Sequence, residues 1–486
     1  MSDPKGFDYT EFDKLLMSNG PVVLSLQQKL KVAAISGDDI VFPPSYAPTP
    51  KRKDADDKSA KKDKDNEKDS VYNIDVLDPL NPFKNVCVLD SIPSQANRIE
   101  PIFASDDYKS LVPQYTVKLN DEVEPVSILS VGHRLADAVF RGTTLREDIV
   151  KAFKSYAKGN AAPIAKLGAT SLVFGVWDSR GTGVKVPRLI NSIVRAFDVV
   201  PLRRSAQYTP PIKYKQEGLL PPGLDIDPAE HGLADVPSPL KIGGVQVNGE
   251  IRRDCSLNLE LIRNLKGKDD KDKDVTEELR RYVLGLALIA LTATPPATLR
   301  QGCTLIPQTP SDNPHDSKSE EGKAWKPQIW RKFYTDGRTD EWDFKSLNIR
   351  EFAAAAASDF GVVQPPKQLL FFDKNLLKAS IEEDAKKKAD KKTQDAGDPI
   401  DNLKKLVNEL EPAKGDKLSE AKTKPLAKLQ EAVAKIESDS TATEELKRLA
   451  AGLRPLLIAD AGAAARKTQM LALFPAVPEP ATEEAK

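Results

Sequence analysis

The stretch "TEELRRYVLGLALIALT", residues 276–292, constrains the fold more than any other. From Val283 to Leu291 it carries no charged or amide side chain. As a helix it is apolar nearly all round, so it has to be buried rather than laid on a surface. Thr276 stands where an N-cap belongs. The apolar run is far too short to cross a bilayer, which takes about 20 residues. A buried helix needs a substantial core, and the chain's 40% apolar content supplies one. Its 486 residues leave room for roughly two to four domains.

The 72 basic and 72 acidic residues cancel, so any site for a polyanion must be a local patch. Cys87, Cys255 and Cys303 are far apart, there is no CxxC, and three histidines cannot complete a zinc finger. "MSDPKGFDYTEFDKLL" has no apolar signal core. These features lead to the expectation of a soluble, cytoplasmic protein without metal or cofactor.

"PVVLSLQQKLKVAAI" (21–35) reads as a strand or strand pair entering the core. Residues 51–69 hold eight basic and seven acidic side chains and nothing apolar larger than alanine, so a mobile insertion is expected there. A shorter charge run, "KGKDDKDKD" (266–274), separates two helical patterns. Val131, Leu135, Ala138 and Val139 recur at helical spacing in 127–142. "TSLVFGVW" (170–177) reads as a buried strand, and "VPRLINSIVRAF" (186–197) as a helix with Pro187 in its first turn. Proline and glycine crowd 209–244, which fits extended hairpins or long loops. After a charged linker at 377–399, leucines at 403, 406, 410, 426, 429, 446, 449 and 453, with Val433 and Ile436, outline a small helical bundle within 400–486.

No enzyme signature emerges. Gly175 to Gly181 lacks the spacing of a phosphate loop, and Lys185 is followed by valine. His133 and Asp137 would share a helix face as a base and its orienter, but no nucleophile accompanies them and a surface polar pair explains them more simply. The binding signals are stronger. Between Arg180 and Lys215 lie Arg180, Lys185, Arg188, Arg195, Arg203, Arg204, Lys213 and Lys215 against the single acid Asp198. In the helical reading Arg188, Asn191 and Arg195 share one face, near Tyr208 and Tyr214. Such a face offers charge, forked donors and stacking surface to a phosphate backbone; a solvated basic face or an acidic protein partner would use the same residues. In "VLDSIPSQANRIE" (88–100), if Ser91 caps a short helix, Pro93 sits in its first turn and Ser94, Gln95 and Arg98 project together. These either contact a ligand or form a buried polar network that ties a loop to the core. Arg300 and Gln301 before Gly302, and Arg252 and Arg253 before a helix, complete four arginine-bearing segments beside apolar elements. That pattern fits a long groove better than a compact catalytic pocket.

"LDSIPSQANRIE", "GHRLADA", "SLVFGVWDSRGTG", "RLINSIVRAFDV" and "YVLGLALIA…LRQGC" resemble, in order, the signature segments of one CRISPR-associated RAMP family. It is the backbone subunit of the type I-G (formerly I-U) Cascade complex, and the resemblance runs from about residue 20 to 376. It implies an α+β fold, with a modified RNA-recognition-motif (ferredoxin-like) core whose large insertions form a hand-like shape. It also implies a ribonucleoprotein of antiviral defence in which copies of the chain stack head to tail along a CRISPR RNA. The guide would pair with target DNA, and other Cascade subunits would join the helical filament. Residues 209–244 are then the possible thumb insertion, within an RNA-binding domain at 1–376. The helical extension at 400–486 falls outside the resemblance, and either docks on a neighbour or resembles a small helical subunit. No aromatic-rich RNA-recognition signature is present, so stacking on a standard sheet surface is not implied.

The guide contacts expected on this basis are Gln95, Asn97, Arg98, Lys185, Arg188, Arg203, Arg204, Arg253, Arg300 and Gln301. The cations would hold phosphates, and the amides would reach 2′-hydroxyls or phosphate oxygens. Arg98, Arg188 and Arg300 could instead pair with buried carboxylates. The chain is read as non-enzymatic, without membrane contact. The alternative is a CRISPR RNA-processing endoribonuclease using His133 or a carboxylate-bound metal, and a third reading is a scaffold that touches only protein.

Overall fold

Leu24, Leu26, Gln28 and Leu30 are buried, and the residues between them face outward. That period-two alternation makes Val23–Val32 a strand with one face on the core, as the sequence pattern of 21–35 predicts. In the computed structural model, residues 7–34, 38–46, 71–222, 227–315, 318–365, 368–394, 399–409, 420–439, 442–457 and 467–474 are described. The charged insertion expected at 51–69 lies outside them. The chain divides into two units, Met1–Lys378 and Ala379–Lys486.

Val23–Val32 anchors a nine-stranded antiparallel sheet. One edge pairs with Ile251–Asn258, which pairs in turn with Ile190–Phe197, and that strand with Asn85–Asp90. The other edge is shared: Gln328–Phe333 lies beside its first part and Cys303–Pro307 beside its end. The fold is mixed α/β.

The core face of the sheet is covered in two parts. Leu24, Leu26, Ile190, Cys255 and Leu257 join a large cluster with the helices, among them Thr276–Thr292. Leu30, Cys87, Leu89, Val194, Ala196 and Ile251 join a second cluster. That one is closed by Val199, Val245 and Val247 at the root of a long ribbon, and by Leu299, Cys303 and Leu305. Along the seam run buried polar side chains: Gln28, Arg253, Ser192, Gln95 and Asp90. Gln28 pairs in register with Arg253, Arg253 with Val194, and Val194 with Asp90, so the row crosses four strands.

Thr276–Thr292 is the buried helix the sequence demands, but Thr276 is not its cap. The capping position falls on Val275, and Asp274 Oδ1 takes the Thr276 N–H at 2.9 Å. The Thr276 hydroxyl accepts the Gly267 N–H at 3.1 Å instead, pinning the 266–274 charge run to the helix start. Two segments differ in type from expectation. Residues 186–197 hold a strand, Ile190–Phe197, rather than a helix. Ile190, Ser192, Val194 and Ala196 point inward, and neighbours on both sides satisfy the backbone; β-branched residues fit that setting. Residues 170–177 hold a short helix, Thr170–Phe174, before Gly175 at φ +75° turns the chain into Val176–Trp177. All five helical residues are buried, so no periodicity distinguished helix from strand. The helix expected within 127–142 shrinks to the single turns Arg134–Ala136 and Ala138–Arg141.

The proline- and glycine-rich stretch joins the ribbon strands Val199–Tyr208 and Val236–Val247. From Arg203 to Tyr208 every side chain on the first strand is exposed. The charged stretch read as a linker is helical as far as Gln394, within Lys374–Gln394. In the second unit Leu403, Val407, Leu429, Val433, Leu446, Leu449, Leu453 and Met470 pack together from several helices. Leu410 lies outside the described residues, as does the side chain of Leu426. Among the described residues no helix is long and apolar enough to cross a membrane.

Helix Ile349–Phe360 packs against Thr276–Thr292 where Gly285 leaves room. A Cβ on Gly285 would lie 2.9 Å from Ala353 Cα, which is backbone and cannot swing aside. Gly285→Val is therefore expected to lower stability by about 1–3 kcal/mol through overpacking, read as a lower urea midpoint at unchanged slope.

Candidate nucleic-acid interface

The helix Ile92–Ile99 starts as its sequence predicts: Ser91 Oγ accepts the Ser94 N–H at 3.5 Å, and Pro93 lies in the first turn. The residue before the cap organises everything around it. Asp90, the last of its strand, is wholly buried. It accepts from Ser94 Oγ at 2.7 Å, Gln95 Nε2 at 2.6 Å, Arg98 Nε at 3.1 Å and Arg300 Nη2 at 3.4 Å. Thus Arg98 and Arg300 do pair with a buried carboxylate, and the polar-network reading of 88–100 holds in this chain. Two guanidinium groups share one carboxylate, so a positive charge remains in excess, and both arginines stay about a quarter exposed (27% and 24%).

Two arms extend from this hub. Toward the ribbon, Arg300 Nη1 reaches the Phe42 carbonyl at 3.4 Å, and the Arg204 guanidinium stands 5.5 Å from the centre of the Phe42 ring. Gly302, at φ +74°, lets the hairpin turn close on that ring: a Cβ there would lie 2.6 Å from Phe42 Cδ2. Gln301, beside it, is exposed.

Toward the other side, Asn97 Oδ1 accepts from Arg134 Nη2 at 3.2 Å. Arg134 is buried, holds a left-handed backbone (φ 51°), and donates to the Gly175 carbonyl at 3.1 Å. Its Nε lies 2.7 Å from Glu100 Oε2, an ion pair not aligned as a hydrogen bond. Burial pushes the Glu100 carboxyl up to about 7, against the pull of Arg134 and Thr170. Arg188 Nε donates to the Phe174 carbonyl at 2.9 Å. Burial, and then the neighbouring Arg134 charge, lower its pKa. Beyond it the two-stranded hairpin of Val176–Trp177 and Lys185–Val186 presents Trp177, 55% exposed, with Lys185 Nζ 4.4 Å above the ring centre. Asp178 shapes the loop that carries the exposed Arg180, accepting from Gly181 N, Thr182 N and Thr182 Oγ1 at 3.0, 2.6 and 2.8 Å.

Contacts join Arg204, Phe42, Arg300, Asp90 and Arg98, and then Asn97, Arg134 and Arg188; Gly175, against Arg188, leads along the chain to Trp177 with Lys185, and together these residues form one band. It gathers most of the residues singled out from the sequence. Arg203 is exposed on the ribbon beside Arg204. Gln95 and Arg253 lie beneath the band, linked through Ser192 Oγ at 2.9 and 3.0 Å, and neither reaches the surface. The face expected to join Arg188, Asn191 and Arg195 does not form, because the segment is a strand. Arg195 points to the outer sheet face and pairs with Asp254 at 2.6 Å. His133 and Asp137 do not share a helix face either: Asp137 caps the next helical turn and accepts the His133 backbone N–H at 3.3 Å. Among the described residues no cluster of His, Cys, Asp or Glu could hold a metal ion.

Sequence reasoning passed over Phe42, Arg134 and Trp177, and did not single out Asp90. Asp90 carried a signal: its donors follow at i+4, i+5 and i+8 on a capped helix. Phe42 and Arg134 carried none, since their partners are distant in sequence.

The fold and band define a mixed α/β protein with a cationic strip beside an antiparallel sheet. Residues 24–201 match the model of the family described as CRISPR-associated protein GSU0053, which supports a CRISPR-associated protein with a role in CRISPR defence. The matched segment includes Asp90, Arg98, Arg134, Trp177, Lys185 and Arg188, while Arg204 and Arg300 lie beyond it. No curated protein matches the chain.

Asp90→Ala would strand two partly buried guanidinium groups and Gln95. It is expected to cost about 3–5 kcal/mol in denaturant unfolding, the range for breaking a buried pair. Glu100 makes a pH prediction. With its folded pKa raised from 4.5 to about 7, it holds its proton more tightly in the folded state. Its contribution is full below 4.5 and is lost as pH rises through about 7. Wild-type stability relative to Glu100→Gln should therefore fall between pH 5 and 8, measured by urea titration at each pH.

Proposed function

We propose that the chain is a non-catalytic CRISPR RNA-binding backbone subunit of a type I-G Cascade complex, a member of the RAMP superfamily. Copies of it would assemble head to tail along the guide and present it for pairing with target DNA. One observation carries the reading: in a chain of zero net charge, one surface strip keeps cations in excess and adds an exposed aromatic ring. Phosphates would lie against Arg98, Lys185, Arg188, Arg203, Arg204 and Arg300, and Asn97 and Gln301 would reach sugar or phosphate oxygens. Gln95 and Arg253 would act from below, by holding that surface in place. The sheet with its helices is read as the modified RNA-recognition core, and the exposed ribbon as the thumb. The match of residues 24–201 to a CRISPR-associated family supports the setting.

Expressed beside a CRISPR array, the full chain should co-purify with short RNA of uniform length that high salt releases. Lys185→Ala with Arg204→Ala should flatten the dependence of log affinity on log salt by about 1.4, two single-strand phosphate contacts. An unchanged slope and affinity would remove the band from the RNA site. Cleavage of repeat RNA, with or without magnesium, that His133→Ala abolishes would favour the processing nuclease instead.

A further inference from the structure

Trp177 is the one tryptophan of four that the fold leaves in solvent: it is 55% exposed, and the other three are buried or half-buried. Burying so large a ring would be favourable. It does not stand on a loose segment either. Val176 and Val186 pair in register and are buried in the large core cluster, and one residue further along each strand Trp177 pairs with Lys185. Neighbouring residues of a strand point to opposite faces, so the buried valines hold the hairpin down while Trp177 and Lys185 face out. The Asp178 N–H donates to the Val184 carbonyl at 3.0 Å, and the Gly183 N–H to the Asp178 carbonyl at 2.8 Å. The buried Asp178 carboxylate takes three more donors from Gly181 and Thr182. On the other side Gly175 lies so close to Arg188 that a Cβ on it would come within 3.0 Å of the Arg188 backbone nitrogen.

A single aromatic ring on a surface is ordinary. Two features set this one apart: its rigid mount, and the cation on it. Lys185 is exposed, and its Nζ stands 4.4 Å from the ring centre, where the electron-rich face attracts it. Arg180, also exposed, is carried by the same loop. An indole exposed to this extent keeps stacking area open besides the part that Lys185 covers. A flat ring on a fixed mount, with cations beside it, matches the two parts of a nucleotide. The base would stack on the ring, and the adjoining phosphates would meet Lys185 and Arg180. Because the mount is already ordered in the fold, little ordering is left to be done on binding. In a duplex the faces of the bases are covered by their neighbours, whereas an unpaired base can be splayed onto an aromatic side chain.

We propose that Trp177 is a stacking platform for one unpaired base of a single-stranded RNA, whichever base that is, with Lys185 and Arg180 holding the phosphates beside it. The proposal rests on the guide-binding reading, and adds a contact with a base where that reading assigns contacts with phosphate and sugar alone. Every base has a π face, so such a contact tolerates any sequence. It also makes the strip selective for single strands, which charge by itself does not.

The test is the affinity of the full chain for one unstructured single-stranded RNA and for its blunt duplex, read by fluorescence anisotropy over a range of salt. Trp177→Leu, an exposed substitution, should weaken binding of the single strand by about 5- to 150-fold. The salt slope should stay unchanged, since no phosphate contact is lost. Trp177→Phe, which keeps a ring, should recover most of the affinity. Binding of the duplex should be the same in wild type and Trp177→Leu. The RNA should also quench the tryptophan emission of the wild type more than that of Trp177→Phe. Single-strand affinity unchanged in Trp177→Leu would overturn the platform and leave the guide-binding reading standing. So would an equal loss on single strand and duplex, which would mark a disturbed hairpin rather than a lost stack. No binding of RNA by the wild type would overturn the guide-binding reading, and the platform with it.

Discussion

The Asp90 carboxylate governs this part of the molecule. A fully buried carboxylate is tolerated only when donors replace its water, and Asp90 gathers them from two directions. Ser94, Gln95 and Arg98 come from the helix that follows it, and Arg300 from a hairpin more than 200 residues on. Meeting that one requirement orients the helix on the sheet and brings the Thr298–Arg300 strand to it. The row of polar groups that continues through Gln95, Ser192 and Arg253 marks the seam between two apolar clusters, one under helices and one under the ribbon root. Apolar packing alone is non-directional; the row supplies direction.

Charge is distributed so that the zero net value hides two kinds of surface. On the outer sheet face Lys29, Arg252 and Arg195 stand side by side across three strands, interleaved with Glu250 and Asp254 at 2.6–3.0 Å, and largely neutralise one another. Along the band the acids are Asp90, Glu100 and Asp178, all buried, and the cations outnumber them. Because exposed charges more than about 8 Å apart are screened at physiological salt, it is this local excess, not the sum over the chain, that a polyanion would meet.

Much of this was legible in the sequence, and the failures have physical causes. The alternation of Leu24, Leu26 and Leu30, the Ser91 cap with Pro93, the buried helix at 276–292 and the leucines of the second unit are local signals, and each element formed as they indicate. Residues 186–197 misled because their apolar positions satisfy a helical period and a strand period alike. Pairing with Ile251–Asn258 on one side and Asn85–Asp90 on the other decided between them. Residues 170–174 are buried throughout, which erases any period. The candidate band was half visible: its arginines could be picked out, but not which of them would be neutralised.

By itself the sequence determined what depends on neighbours a few residues apart: caps, apolar periods, charge runs, and the segments where arginine sits beside an amide. Tertiary structure decided everything that depends on which strand lies next to which. Only after pairing does Arg195 find Asp254, while Arg98 and Arg300 converge on Asp90. Only then is Arg253 sealed beneath the surface with part of its guanidinium unpartnered. The energy of a charge is set by its solvent access and its nearest counter-charge. Both are properties of the folded arrangement, and no spacing along the chain encodes them.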